Sequence, residues 1–315
     1  MTRSFTKFLK IFLVGVSLIL WVTAIIAKDA DFCKKVRLSD VGWTDITANT
    51  AMVSAILEMI GYEANITQMS VPVTFASLKK GDIDVFLGNW MPSMANDIKP
   101  YHDEGSIETI GMNLEGAKYT LAVDKALYDK GLHDVTDIAK FKDQLGGKIY
   151  GIESGNEGNR HILDMIKNPQ LNLQGWELVE SSEAGMLAQV AKNIKANKNI
   201  IFLGWAPHPM NLNYKIAYLT GFGRNYGNAS VFTVVRKGYV KNCPNVGRFF
   251  ANLKFSMEME NQLMSEILEK GVDPTIAAIT WLKSNPKVLK EWLDGVTTFD
   301  ASESAFDAIK NSPGF

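Results

Sequence analysis

Three tryptophans share a local setting: Trp43 in Val41-Gly42-Trp43-Thr44-Asp45, Trp90 in Gly88-Asn89-Trp90-Met91-Pro92, and Trp205 in Gly204-Trp205-Ala206-Pro207. Each lies beside a glycine where a short apolar run ends. A single tryptophan there reads as a lid over the core, and only the threefold recurrence points to a shared site. Aromatic faces carry diffuse negative potential, which suits a cation with no N–H to donate, such as a trimethylammonium group. Each such contact is worth about 0.5–2 kcal/mol when desolvated. A lysine- or arginine-like ligand would instead call for carboxylates at its charged end. Asp45, two residues from Trp43, can reach the same cavity; it can equally cap a helix starting near Thr47. Trp176, Trp281 and Trp292 sit in an apolar strand and two amphipathic helices and are assigned to core packing.

Enzymatic chemistry finds little support. His102, His133, His161 and His208 lack zinc spacing, there is no Gly-x-Ser-x-Gly turn, and Glu153-Ser154-Gly155-Asn156-Glu157-Gly158 lacks the glycine spacing of a phosphate loop. His208, between two prolines, reads as structural, and Asp82 and Asp84 straddle a turn and read as solvated. No catalytic residue, metal site or cofactor is expected. With 33 basic against 34 acidic residues, the chain has no basic footprint for nucleic acid.

The elements that must position these residues alternate. Strands are expected at Val36–Leu38, Ala64–Met69 and Val85–Leu87, with helices at Thr47–Ile60 and Phe75–Lys80 between them. The rhythm resumes with strands at Tyr119–Val123, Lys148–Ile152, Trp176–Val179 and Ile200–Leu203. A polar helical stretch near Asp137–Leu145, a helix beginning near Asn159 and one at Ser182–Ala196 alternate with them. Strands at Lys215–Leu219 and Ser230–Val235 precede a helical remainder in which Pro244, Pro274 and Pro286 each open a helix. This pattern predicts an α/β fold with a mostly parallel sheet covered on both faces. The segments Phe86-Leu87-Gly88-Asn89-Trp90-Met91-Pro92 and Phe202-Leu203-Gly204-Trp205-Ala206-Pro207 echo each other. In such sheets ligands bind at the carboxyl ends of strands, so the two tryptophans are expected to face each other across a cleft.

Arg3, Lys7 and Lys10 precede an apolar run from Ile11 to Ile26, followed at once by Lys28, Asp29 and Asp31. This is a signal-peptide pattern over residues 1–27, with cleavage expected after Ala27; an uncleaved membrane anchor is the alternative. Export to an oxidising compartment would let the only two cysteines, Cys33 and Cys243, pair. The closed loop would then be worth roughly 5 kcal/mol in the chain-entropy model. A lipid-modified Cys33 and two unrelated buried thiols are the other possibilities.

Val41-Gly42-Trp43-Thr44-Asp45-Ile46-Thr47, Gly88-Asn89-Trp90-Met91-Pro92, Lys118-Tyr119, Glu153-Ser154-Gly155-Asn156-Glu157 and Gly204-Trp205-Ala206-Pro207-His208-Pro209-Met210 together resemble the glycine betaine and choline binding family. Its members are periplasmic substrate-binding proteins of bacterial ABC importers. The resemblance spans nearly the whole chain after the leader. It implies a two-lobed periplasmic binding protein fold (type II) with a hinge between lobes, and no enzymatic activity. It also implies a four-sided aromatic box made by Trp43, Trp90, Tyr119 and Trp205, with Asp45 and Asn156 hydrogen-bonding a choline hydroxyl. Spacing alone singles out neither Tyr119 nor Asn156, which read as an ordinary strand residue and a turn residue. A buried carboxylate at Asp45 would accept from an alcohol and repel the carboxylate of betaine, favouring choline over betaine; another onium compound, such as glycine betaine, acetylcholine or trimethylamine oxide, is the alternative ligand. Lobe I is expected over 28–115 plus 220–315 and lobe II over 116–219. The expected protein is a periplasmic monomer that delivers its ligand to an inner-membrane ABC permease; a membrane-anchored sensor ectodomain is the alternative.

Overall fold

The computed structural model describes residues 28–312 and Phe315, so the leader expected over 1–27 lies outside the described residues. Among the described residues, nine strands run through the fold: β1 (Lys35–Asp40), β2 (Glu63–Gln68), β3 (Val85–Met91), β4 (Ile107–Asp124), β5 (Lys148–Tyr150), β6 (Glu177–Val179), β7 (Ile201–Ala206), β8 (Ile216–Tyr218) and β9 (Gly227–Arg236). They form one sheet in the order β2-β1-β3-β9-β4-β7-β5-β6, with β8 also paired to β4. The expected parallel character holds within each half, where β1 pairs parallel with β2 and β3, and β5 pairs parallel with β6 and β7. Across the middle it does not. β9 is antiparallel to β3 and β4, and β4 is antiparallel to β7 and β8, because the chain leaves one half and returns on two long neighbouring strands.

β4 is the largest departure from the sequence reading. It extends twelve residues before Tyr119, and its first half was hidden by Gly111 and Gly116 and by register shifts between Thr109 and Ala117 that break the alternation. The boundary expected at 115/116 falls inside this strand, just before its partner changes from β9 to β7. Helix Ala95–Asp103 was also missed, since Pro100 lies within it. The polar stretch near 137–145 is a 3₁₀ helix, Val135–Phe141, followed by a single turn, Lys142–Leu145. Pro244, Pro274 and Pro286 do open helices Pro244–Asn252, Pro274–Ser284 and Pro286–Trp292.

Helix Thr44–Met59 positions the first tryptophan. It is buried on almost every face, packing on β1 and β3 and under helices Met257–Lys270 and Pro274–Ser284. Its weak amphipathicity follows from that burial. Cys33 and Cys243 form a disulfide, which removes the lipid-anchor and free-thiol readings of Cys33. Next to it, Asp29 accepts from the backbone N–H groups of Asn245 and Val246 at 2.8 and 3.0 Å, fastening the start of the described chain onto helix Pro244–Asn252. Asp84 is buried rather than solvated, because it bridges Arg37 and Arg236 and the opposite charges offset its desolvation. Trp292 is a core residue, stacked with the partly exposed Trp281.

Candidate functional site

The two echoing segments deliver their tryptophans from within strands rather than from loops after them. Trp90 and Trp205 are the penultimate residues of β3 and β7, and each strand is followed by a cis-proline, Pro92 or Pro207. The carbonyls of both are held, that of Trp90 by Ser93 Oγ at 3.1 Å and that of Trp205 by Asn211 Nδ2 at 2.9 Å. Gly204 permits the close packing here, since a Cβ would lie 2.7 Å from that of Ala122. Trp43 is the residue before helix Thr44–Met59, and its carbonyl already accepts from Thr47 N at 2.8 Å. Its turn is set by Asp40, whose carboxylate accepts from Gly42 N and Thr47 Oγ1.

Trp43, Asp45, Trp90, Tyr119 and Trp205 line one cavity with about 280 Å³ of empty space, part of it open to solvent. All four aromatic residues are at most 6 % exposed and Asp45 is 1 % exposed. The Trp90 and Tyr119 rings meet edge to face at 6.3 Å. Asn156, expected in the same set, does not line the cavity. Its Oδ1 accepts from the Tyr119 hydroxyl at 2.9 Å and from Gly158 N at 2.8 Å, capping helix Glu157–Lys167, while Nδ2 makes only a 3.4 Å bond to Glu153. Gly158 is what lets the Tyr119 hydroxyl approach, since a Cβ there would lie 2.2 Å from it.

Asp45 does not cap the helix. The helix starts at Thr44, which places Asp45 inside the first turn, and both carboxylate oxygens are buried without a hydrogen-bond partner. Burial pushes its carboxyl well above the ordinary range, helped by nearby Glu260 and Glu183; the Trp90 indole N–H eases the anion without closing a full hydrogen bond. Helix-dipole attraction at an N-terminus favours the anion but is worth at most ~2 kcal/mol.

Sequence reasoning missed the surrounding acids. Glu157 and Ile152 complete the cavity lining. Burial pushes the Glu157 carboxyl up to about 7. Glu153, also raised by burial, accepts from Trp43 Nε1 at 3.1 Å. Glu183 accepts from Thr44 N and Oγ1 at 2.9 and 2.6 Å and bonds His208 Nε2 at 3.1 Å. The one available signal was position, since Glu157 and Glu183 each stand in a helix first turn, where an acid is unremarkable. The result is an aromatic cavity edged by carboxylates with no lysine or arginine in its lining. Such a cavity is built to accept a compact cation.

Residues 34–284 match the family model described as the substrate binding domain of ABC-type glycine betaine transport systems. Two solved structures are each 54 % identical to the chain and cover 90 % of it. One, an ABC-transporter choline binding protein in complex with choline, has a TM-score of 0.86 with 99 % of its own chain covered; the other, in an unliganded semi-closed conformation, has 0.83 with 100 % covered. The glycine betaine/carnitine transport binding protein GbuC of Listeria monocytogenes is 33 % identical over 162 residues, spanning 51 % of this chain and 54 % of that protein.

Proposed function

Because this chain belongs to the family of substrate-binding domains of ABC-type glycine betaine transport systems, we propose that it captures choline for an ABC importer. The role is binding and delivery, not catalysis. The observation that carries choline is Asp45, a carboxylate whose two oxygens are buried without partners in a cavity of three tryptophans and a tyrosine. A trimethylammonium group satisfies the aromatic faces, and a hydroxyl gives Asp45 the donor it lacks. Asn156 acts on the cavity through Tyr119, whose hydroxyl donates to Asn156 Oδ1 at 2.9 Å. Glycine betaine would set its own carboxylate against Asp45 and Glu157, whereas acetylcholine and trimethylamine oxide bring no hydroxyl donor.

Binding couples to closure of two lobes, 28–115 with 220–315 and 116–219. On this division three cross-cleft links latch the closed form: Thr44 to Glu183, Trp43 to Glu153, and Asp97 to Arg160 at 2.6 Å. Ligand contacts from both sides favour that state. The closed monomer then docks on a membrane permease. Export with cleavage after Ala27 places it in the periplasm, and sequencing the mature N-terminus checks this against the anchored alternative.

Tryptophan fluorescence titration of the exported protein with choline, glycine betaine, acetylcholine and trimethylamine oxide tests the ligand. Choline is expected to give the tightest response. No response to any of the four would overturn the reading, and a tighter response to betaine would overturn the role of Asp45.

A further inference from the structure

A second buried carboxylate, Glu260, lies outside the cavity lining. Asp45 and Asn49 stand one turn apart on helix Thr44–Met59, and Asn49 Nδ2 donates to Glu260 Oε1 at 2.7 Å. Asp45, Asn49 and Glu260 are each 1 % exposed, and Glu260 Oε2, Asn49 Oδ1 and both Asp45 oxygens are without partners. Among the described residues, no ion pair includes either acid. The other charged groups around the cavity are also acidic: Glu157 in its lining, Glu153 bonded to Trp43 Nε1, and Glu183, bonded to Thr44 and to His208. Two anions in dry protein with no cation repel each other and are poorly solvated.

We propose that Glu260 is a second charge-selecting residue of this site: with the cavity empty it and Asp45 hold one proton between them, and a permanent cation entering the cavity drives that proton off to solvent. The inference rests on the onium reading of the cavity. Burial pushes the Glu260 carboxyl up to about 7, in keeping with a proton retained near neutrality. Choline carries a fixed charge, so any pH dependence of its binding belongs to the protein. A deprotonated pair attracts the cation, and affinity therefore rises with pH through neutrality. A betaine carboxylate meets less repulsion when the pair keeps its proton, and the preference for choline over betaine widens in the same direction.

The variant is Glu260→Gln, which keeps a carbonyl for Asn49 and removes the charge; its melting temperature verifies folding. Carboxyl-carbon NMR titration of the empty protein, with Asp45 assigned from Asp45→Asn, is expected to show Asp45 titrating well above ordinary aspartates and moving down by a unit or more in Glu260→Gln. An Asp45 titration unchanged by the substitution overturns the proposal, whatever ligand the cavity takes. Calorimetry of choline binding in two buffers of different ionisation heat is expected to show proton release at pH 7 in the wild type and at most half as much in Glu260→Gln. Between pH 7.5 and 5.5 choline affinity should fall on the order of tenfold in the wild type and less than threefold in the variant. Equal proton release in both proteins also overturns it. An absence of choline heat brings down the ligand assignment, and the NMR titration still decides this one.

Discussion

Asp45→Asn separates charge from shape at the centre of the cavity. The wild-type carboxylate is 1 % exposed and has no protein donor on either oxygen. A charge-assisted hydrogen bond from the choline hydroxyl is worth roughly 1.5–3 kcal/mol against about 1 for a neutral one, so the amide forfeits about 1 kcal/mol there. The attraction to an ammonium about 5 Å away adds ~3 kcal/mol at an effective dielectric constant near 20. Against this stands the proton that must leave before the anion forms, which returns part of that difference to the variant. The loss therefore stays below about 4 kcal/mol, and choline binding should weaken by roughly tenfold or more. Betaine carries the same trimethylammonium group and shares the lost attraction, but it has no hydroxyl bond to lose and is relieved of repulsion between its carboxylate and Asp45, so the choline-to-betaine ratio should shrink. The empty protein moves the other way, because removing an unpartnered buried carboxylate should stabilise it by about 1–3 kcal/mol. Calorimetry with both ligands, together with thermal unfolding of the empty variant, reads both signs. An unchanged ratio, or an empty variant that is less stable than the wild type, would refute the reasoning.

Trp205→Leu should keep the cavity apolar while removing one aromatic face, weakening choline by about 3- to 30-fold with little change in melting temperature, as calorimetry and thermal unfolding would show. Glu183→Gln leaves every cavity-lining residue intact but weakens two bonds to Thr44; a loss of about 1–2 kcal/mol should appear mainly as faster choline release in stopped flow. Replacing Cys33 and Cys243 together by alanine opens a loop of 210 residues and should lower stability by about 2–5 kcal/mol in denaturant titration, with choline affinity nearly unchanged. Because burial raises Glu157 and Glu260 to about 7, both contribute stability that is complete below the ordinary carboxylate range and lost as pH rises through neutrality. The melting temperature of the empty protein should therefore fall between pH 5 and 7.5, and saturating choline should flatten that slope.

Trp90 and Trp205 were legible in the sequence because strand, glycine, tryptophan and proline recur together, and Trp43 because it shares the neighbouring glycine. Strand alternation likewise recovered both parallel halves of the sheet. The long crossing strand was not legible, since Gly111, Gly116 and three register shifts destroy the period-two pattern on which such a reading depends. Tyr119 and Asn156 came through family resemblance, and the coordinates show why spacing could not supply them: Tyr119 is one position of a regular ladder opposite Trp205, and Asn156 reaches the cavity wall only through the Tyr119 hydroxyl. The acids were hidden for a different reason. Glu157 and Glu183 occupy first-turn helix positions, and Glu260 stands in the run Met257-Glu258-Met259-Glu260, where it looks like one more solvated charge. Only tertiary packing distinguishes a buried carboxylate from its exposed neighbour.

The pairing of β4 with β9 and then β8 along one edge, and with β7 along the other, means that a single backbone ladder runs from end to end of the sheet. The proposed lobe closure would flex that ladder as a leaf spring flexes, rather than turn about a slack joint. The shifts between Thr109 and Ala117 are where the spring is thinnest. Its restoring torque acts on every bound molecule alike, so stiffening or relaxing this stretch should scale all affinities by a common factor and leave their ranking to the side chains of the cavity.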